Sequence, residues 1–204
     1  MLIIGLTGSI GMGKSTVAAR LKDLGIGVFD ADAEVHRLYE GAAVAPIEEA
    51  FPGTTAGGKV DRQKLARVLM GNAQGFARLE AIVHPLVFAA ERAFLGSEAA
   101  RGAEMAVLEI PLLLETGGEK RVDVVIVVSA SPEAQRTRVS ARPGMTSEKL
   151  EQIMARQMPD AEKRARADFV VDTGGTIADS MAQVDKIIES LRGRKGSAYA
   201  TFWA

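Results

Sequence analysis

Short apolar runs alternate with longer stretches of helical period along this chain. The apolar runs are rich in β-branched residues and mostly unbroken, as is typical of strands buried on both faces of a parallel sheet. They predict five strands, at residues 2–6, 27–29, 105–110, 122–128 and 169–171. Helical patterns follow the first, fourth and fifth runs, at residues 14–24, 132–141 and 177–191. The alternation predicts an α/β fold with βαβ units around a five-stranded parallel sheet.

Two segments interrupt this alternation. Residues 32–102 keep a helical character without a convincing strand, and a helix over 74–94 is predicted to break at Pro85. We expect this segment to be a helical lobe inserted between the second and third strands. Residues 142–166 contain Pro143-Gly144 and then a charged helix, a pattern that suits either a small lid or a solvated surface helix. The core is then predicted at residues 1–31, 103–141 and 167–193, with a tail of no clear period at 194–204.

Composition narrows the classes of partner. The net charge is −1 at pH 7, so no global charge attracts the chain to nucleic acid or to an anionic membrane. The absence of cysteine excludes disulfides and thiolate metal sites. The N-terminal apolar run is short and turns at once into glycine and serine, so we expect neither a signal peptide nor a membrane span. We therefore expect a cytoplasmic protein with neither nucleic acid nor a membrane as partner. A monomer and a weak homo-oligomer both stay open, because the sequence does not decide the oligomeric state.

A phosphate-binding motif joins the first predicted strand to the first predicted helix. Its sequence is Gly8-Ser9-Ile10-Gly11-Met12-Gly13-Lys14-Ser15, which fits G-x-x-x-x-G-K-[ST] without a mismatch. Glycines let backbone N–H groups approach phosphate oxygens closely, and the start of a helix favours anions. We call residues 8–15 the P-loop and expect ATP to be bound by Gly11, Met12, Gly13, Lys14, Ser15 and Thr16. Lys14 is expected on the β- and γ-phosphates, and the Ser15 hydroxyl on Mg²⁺.

Other residues decide between classes of P-loop protein. The single asparagine, Asn72, is followed by Ala73, so the Asn-Lys-x-Asp element of switch GTPases is absent. Closely paired acids, Asp30 and Asp32, follow the second predicted strand. Ligands of parallel sheets bind beyond the carboxyl ends of the strands, so we expect at least one acid of this pair to act beside the P-loop, while the other caps the following helix. The pattern favours a small-substrate kinase over an ATPase motor.

Further short motifs occur in a characteristic order and spacing. They are the P-loop preceded by Thr7 and followed by Thr16, Leu24-Gly25, Asp30-Ala31-Asp32, His36, Val60-Asp61-Arg62, Leu79-Glu80, His84-Pro85, Pro111-Leu112-Leu113, Glu115, Gln135, Arg138, Arg142, Gln157 and Ala167-Asp168. Together they resemble the dephospho-CoA kinase family, over about residues 3–175. The chain departs from the family pattern where Pro143-Gly144 follows Arg142, and where Asp172-Thr173 stands in place of asparagine.

The resemblance implies a P-loop NTPase fold of three layers and transfer of the ATP γ-phosphate to the 3′-hydroxyl of dephospho-CoA. It implies that Asp32 receives the hydroxyl proton, and that Arg142, with Arg138 second, comes from the lid to the transferring phosphate. It also implies acceptor contacts for three residues of this sequence, Arg62, His84 and Glu115.

The residues by themselves leave alternatives open. His84-Pro85 also reads as a packed helix break, Arg62 as the neighbour of a capping residue, and Glu115 as part of an ion pair. The rival functions are another small-molecule kinase, such as a nucleoside monophosphate kinase, and a non-catalytic ATP-binding module.

Overall fold

The structure, a computed structural model, describes the backbone of residues 1–204 and every side chain except that of Ser147. Its strands are β1 (Leu2–Thr7), β2 (Gly27–Asp30), β3 (Thr55–Ala56), β4 (Lys59–Val60), β5 (Met105–Glu109), β6 (Val124–Ser129) and β7 (Phe169–Asp172). Its α-helices are α1 (Lys14–Asp23), α2 (Ala31–Leu38), α3 (Val44–Ala50), α4 (Arg62–Leu69), α5 (Ala73–Ala100), α6 (Pro132–Ser140), α7 (Ser147–Met154), α8 (Asp160–Ala165) and α9 (Ile177–Leu191).

The predicted five-stranded parallel sheet is confirmed, with the order β2-β5-β1-β6-β7. Strand β1 is central, and its Gly5 is in register with Leu108 of β5 and Val125 of β6. Every residue of β1, β5 and β6 is buried, which explains why these strands read as unbroken apolar runs. The layers of helix and sheet are those of an α/β fold.

The chain forms two compact units. The first, the core unit, comprises Met1–Phe29 and Leu95–Ala204, and contains most of the sheet. Its main hydrophobic core joins β1, β5 and β6 to the apolar faces of α1 and α9. Arg20 and Asp185 also join these two helices through two hydrogen bonds of 2.8 Å, which lower the pKa of the Asp185 carboxyl.

The second unit, Asp30–Phe94, has its own hydrophobic core, built around Leu38, Ile47, Leu65 and Val83. It also contains an antiparallel hairpin of β3 and β4 that the hydrophobic pattern missed. Each strand is only two residues long, too short to show a period. The turn between them, Gly57-Gly58, has positive φ at both positions. The Gly-Gly pair is the signal for the hairpin that the sequence offers, because two-residue hairpin turns favour glycine at these positions.

The predicted helix break at Pro85 is wrong. Helix α5 runs without interruption from Ala73 to Ala100 and includes Pro85. Proline removes one backbone hydrogen bond from a helix, to the carbonyl four residues earlier. That residue, Ala81, is exposed, as are His84 and Pro85, so water can solvate the freed carbonyl. His84 is therefore a solvent-facing residue of a continuous helix and not part of a packed break.

The C-terminal tail is ordered against the core unit. Residues Tyr199–Trp203 form a π-helical turn, and Trp203 is buried. Its indole N–H donates to the Arg121 carbonyl at 2.9 Å. Among the residues described by the structure, no helix combines the length and the apolarity needed to cross a membrane.

Candidate active site

The P-loop follows β1 and precedes α1, as its sequence predicts, and its glycines are required by the space around them. Gly11 and Gly13 have φ values of 78° and 87°, in the left-handed region that favours glycine. A Cβ added at Gly11 would lie 2.5 Å from Val139 Cγ2, and one at Gly8 would lie 2.5 Å from the Val128 carbonyl oxygen. The loop therefore keeps its shape only with a bare backbone at these positions.

The carbonyl groups of the loop are bound by side chains of the surrounding core unit. The Gln135 amide donates to the Ile10 carbonyl at 2.8 Å, and the Thr173 hydroxyl donates to the Met12 carbonyl at 2.8 Å. Arg138 donates to the Gly11 carbonyl at 3.5 Å. Three successive carbonyls are thus directed into the protein, which favours a concave arrangement of the loop amides of the kind that binds anions.

Helix α1 begins directly at the loop. Its N-cap is Gly13, which has no side chain to bind the first-turn N–H groups. Lys14, Ser15 and Thr16 form that first turn, and the Ser15 side chain is exposed there. A helix N-terminus without a side-chain cap, placed after a glycine-rich loop, is suited to a phosphate group. The Met12 side chain, in contrast, is buried in the main hydrophobic core, so only its backbone is available to a ligand.

Arg138 connects the P-loop to the end of β7. Besides its bond to Gly11, its guanidinium donates to the Thr173 hydroxyl at 3.0 Å and to the Thr173 carbonyl at 2.6 Å. At this departure from the family pattern, the Thr173 hydroxyl supports the loop by donating to the Met12 carbonyl. An ATP contact for Arg138 stays a prediction.

Glu115, predicted to contact the acceptor, forms an ion pair within the core unit. Its Oε1 lies 2.7 Å from Nζ of Lys163 and accepts the Met158 backbone N–H at 2.8 Å. Of the two roles that the sequence leaves open for Glu115, the structure shows the ion pair, with Lys163 as its partner. An acceptor contact for Glu115 stays a prediction. Nearby, Gln157 Oε1 accepts the Ile10 N–H of the P-loop at 3.1 Å.

Arg142 lies in the turn after α6 and is exposed. The chain reverses here, with the Met145 N–H donating to the Arg142 carbonyl at 3.2 Å. Pro143 and Gly144, the second departure from the family pattern, form this turn, and Gly144 has a φ of 72°. Helix α7 then begins behind its N-cap Thr146.

In the second unit, Asp30 and Asp32 have different surroundings. Asp30 is the N-cap of α2, and its carboxylate accepts the Ala33 N–H at 2.9 Å. The expectation that one acid of the pair caps the helix is thus confirmed. Asp32 lies in the first turn of the same helix with its side chain exposed.

Arg62 stands at the first position of α4, directly after the N-cap Asp61. Its Nη1 lies 3.2 Å from both ring nitrogens of His36, which places these two residues together. Burial raises the pKa of the nearby Tyr39 phenol, and the positive charge of Arg62 partly offsets this rise. His84 lies apart in sequence, exposed on α5. Acceptor contacts for Arg62 and His84 stay predictions.

Sequence reasoning missed the side chains that support the loop. Thr173 was noted only as a departure from the family pattern, because a threonine after a strand usually faces water. Lys163 holds the neighbouring turn at Pro111 and Glu115, and a lysine in a charged helix also usually faces water. Gln135 and Gln157 lay within the motifs, but their contacts with Ile10 join residues more than a hundred positions apart.

Comparison with known proteins gives consistent results. The family model described as dephospho-CoA kinase matches residues 2–179. A dephospho-CoA kinase of Mesorhizobium japonicum is 55% identical over 197 residues, which cover 97% of this chain and 100% of the relative. A dephospho-CoA kinase of Rhodopseudomonas palustris is 56% identical over 190 residues, which cover 93% of this chain and 96% of the relative.

Solved structures agree on the fold. TT1252 from Thermus thermophilus matches with a TM-score of 0.81 and 39% identity, over 94% of this chain and 98% of that one. Dephospho-CoA kinase from Campylobacter jejuni matches with a TM-score of 0.64 and 24% identity, over 93% of this chain and 96% of that one. Shikimate kinase from Acinetobacter baumannii matches with a TM-score of 0.55 and 18% identity, over 95% of this chain and 96% of that one.

Proposed function

The chain belongs to the dephospho-CoA kinase family, and from this premise we propose that it transfers the γ-phosphate of ATP to the 3′-hydroxyl of dephospho-CoA, giving CoA and ADP. The structural observation that carries the proposal is the P-loop, whose glycines fit only as glycines and whose carbonyls are bound by Gln135, Arg138 and Thr173. Such support of a glycine-rich loop before a helix N-terminus favours the proposal that the loop holds a polyphosphate.

On the ATP side, the loop amides and the first turn of α1 would bind the phosphates. Lys14 would neutralise charge on the β- and γ-phosphates, and Thr16 would add a hydroxyl to the α-phosphate. Arg142 would stabilise the charge that develops on the transferring phosphoryl group, and Arg138, already beside Gly11, would support the nucleotide.

The residues present fit a Mg²⁺ ion that arrives with the nucleotide. Mg²⁺ prefers oxygen ligands and usually takes only one or two from the protein, the rest being phosphate and water. The exposed Ser15 hydroxyl, in the first turn of α1, is such an oxygen. Bound there, the ion would neutralise charge between the β- and γ-phosphates.

On the acceptor side, Asp32 would accept the proton of the 3′-hydroxyl. The hydroxyl oxygen would form a bond to the γ-phosphorus of ATP, while the bond between the γ-phosphorus and the β-phosphate oxygen breaks and ADP leaves. The N-cap of α2 is Asp30, so the exposed carboxylate of Asp32 is not needed to cap that helix. Residues 32–102 would form the acceptor lobe, in which Arg62 and His84 would contact dephospho-CoA. Residues 142–166 would form a lid that excludes water from the transfer.

Glu115 would act on the acceptor site through the turn that it helps to hold, since its Oε1 is bound by Lys163 and Met158. We also propose a cytoplasmic location, because the reaction consumes ATP and an intermediate of cofactor synthesis.

The function is tested by ADP release in the presence of ATP and Mg²⁺. Dephospho-CoA is compared with AMP, CMP, dTMP and shikimate as acceptors, and CoA is identified among the products. ADP release that requires dephospho-CoA supports the proposal. Turnover with another acceptor and none with dephospho-CoA would reject the assigned substrate and retain a P-loop kinase.

The role of Asp32 is tested by Asp32→Asn, which keeps the shape of the side chain and removes its basicity. We expect turnover to fall by about 10²-fold or more, because a positioned general base contributes about 10²–10⁴-fold. The KM for ATP should stay within about threefold, since the P-loop is unchanged.

The comparison variant is Asp30→Asn, which makes the same charge change two residues away. Asparagine is as good an N-cap as aspartate, so its effect on turnover should be much smaller than that of Asp32→Asn. Wild-type turnover in Asp32→Asn would reject the assignment.

A further inference from the structure

A fully buried lysine has so far entered only as the partner of Glu115. Lys163, in α8, has no exposed side-chain surface. Its ammonium group lies 2.7 Å from Glu115 Oε1 and 3.3 Å from the Pro111 carbonyl oxygen. A buried ammonium is costly unless it is paired and hydrogen-bonded, and here it meets both conditions.

Both partners belong to one turn, residues 111–115, which follows β5 after Ile110 and which we call the β5 turn. The Pro111 carbonyl also accepts the Thr7 hydroxyl at 3.0 Å, and Thr7 is the residue before the P-loop. Glu115 Oε1 also accepts the Met158 N–H. Lys163 thus holds the two ends of the β5 turn, at the edge of the sheet where the P-loop begins.

The neighbours of Lys163 are attached to the same edge. Gln157 binds the Ile10 N–H of the P-loop, and Asp160 Oδ2 accepts the Ser129 hydroxyl at the end of β6 at 2.8 Å. The segment from Gln157 to Lys163 therefore contacts the ends of β5, β1 and β6, three adjacent strands of the sheet. Ligands of parallel α/β sheets bind at this edge.

Stability alone does not account for the ion pair. A buried pair of charges is often no more stabilising than apolar residues of the same volume. Among the residues whose side chains are described, Glu115 Oε2 is buried and has no hydrogen-bond partner, which is a further cost. Unlike an apolar side chain, the ammonium group forms directional hydrogen bonds. It donates to Glu115 and to the Pro111 carbonyl, and so fixes both ends of the turn relative to each other.

We infer that Lys163 is a positioning residue for phosphoryl transfer, holding the β5 turn in place beside the P-loop. The inference rests on the proposed function, since the turn matters only if transfer occurs at this edge. A misplacement of about 1 Å can cost on the order of 10²-fold in rate. Loss of the ammonium should therefore lower kcat much more than it changes the KM for ATP.

The absence of cysteine allows a specific chemical test. Lys163→Cys introduces the only thiol, which is alkylated in urea and then refolded. Treatment with 2-bromoethylamine restores an ammonium at about the length of lysine, and treatment with 1-bromopropane gives a neutral arm of similar size. Wild-type protein taken through both treatments is the control, and kcat, the KM values for both substrates and the urea midpoint are measured.

We expect the aminoethyl form to recover kcat to within about threefold of treated wild type, and the propyl form to remain at least tenfold lower. A second variant, Glu115→Gln with Lys163→Met, removes both charges together and so avoids leaving a lone buried carboxylate. We expect it to approach the wild-type urea midpoint while kcat stays at least tenfold low.

A neutral form with kcat within threefold of wild type would overturn the inference, as would an aminoethyl form that recovers stability but not kcat. The double variant could also lose kcat only in proportion to its loss of folded protein, and this result would overturn the inference as well. Treated wild type that does not phosphorylate dephospho-CoA would instead reject the proposed function.

Discussion

At the scale of single residues, glycine in the P-loop is determined by both backbone angle and space. Gly11 and Gly25 have the same φ, 78°, but different surroundings. A Cβ at Gly25 would have no heavy atom within 4 Å, whereas one at Gly11 would meet Val139 at 2.5 Å and the Gln135 carbonyl oxygen at 3.1 Å. The two residues therefore separate the cost of a left-handed backbone from the cost of crowding in the loop.

We predict that Gly11→Ala raises the KM for ATP at least tenfold, because the loop must move away from Val139 and Gln135. Gly25→Ala is the matched control. It should lower the free energy of unfolding by about 1–2 kcal/mol, the usual cost of a left-handed non-glycine residue, and leave kinetics within about twofold. Steady-state kinetics and urea unfolding check both variants. Equal KM values for ATP in the two variants would contradict the role of crowding at Gly11.

At the scale of elements, the unexpected feature is a proline inside a helix. Pro85 is in the interior of α5, whereas Pro132 occupies the first turn of α6 behind the N-cap Ser131. In the first turn the missing N–H has no intrahelical partner to lose, but in the interior it does. The same residue type is thus favourable in one helix and unfavourable in the other.

We predict that Pro85→Ala stabilises the protein by about 2–3 kcal/mol. The gain of about 3 kcal/mol in helix propensity is partly offset by the greater freedom of the unfolded chain. Pro132→Ala, the control, should be neutral or slightly destabilising. Urea midpoints measure the difference, and a Pro85→Ala protein less stable than wild type would show that the proline has a packing role.

At the scale of the whole chain, the C-terminal tail and the P-loop lie at opposite edges of the sheet in the core unit. Asp123, just before β6, accepts the Ile3 N–H at 2.8 Å and the N–H groups of Ser197 and Ala198 at 2.7 and 2.9 Å. Trp203 is 2% exposed, while its neighbour Phe202 is 45% exposed. The tail therefore closes the amino edge of the sheet, and the P-loop occupies the carboxyl edge.

We predict that Trp203→Ala lowers the free energy of unfolding by about 3 kcal/mol or more, as for other buried aromatic residues, and leaves kcat/KM of the folded enzyme within about threefold. Phe202→Ala should change stability by no more than about 0.5 kcal/mol. Thermal and urea unfolding, with kinetics well below the transition, distinguish the two. Equal stability of the two variants would indicate that the tail does not dock in solution.

Much of the core could be predicted from the sequence, because its signals are local. The bounds of α9 were predicted without error, and the five strands of the main sheet to within about two residues at either end. The P-loop is found by its spacing, and the sequence predicts that one of Asp30 and Asp32 caps a helix, which the structure assigns to Asp30. The capping residue expected before Arg62 is Asp61. The acceptor contacts could not be derived in this way, since they depend on the family resemblance and on residues far apart in the chain.

What the sequence alone determined is what neighbouring residues decide among themselves: strand and helix periods, caps, and a glycine loop with its lysine and serine. Only the tertiary structure decided that α5 continues through Pro85, that the tail packs on the core, and that Lys163 is buried. Each of these depends on contacts between distant segments, as between Lys163 and Glu115 or Trp203 and Arg121. Whether such a side chain is more stable in water or in contact with a distant partner depends on a free-energy difference, and its neighbours in sequence do not determine that difference.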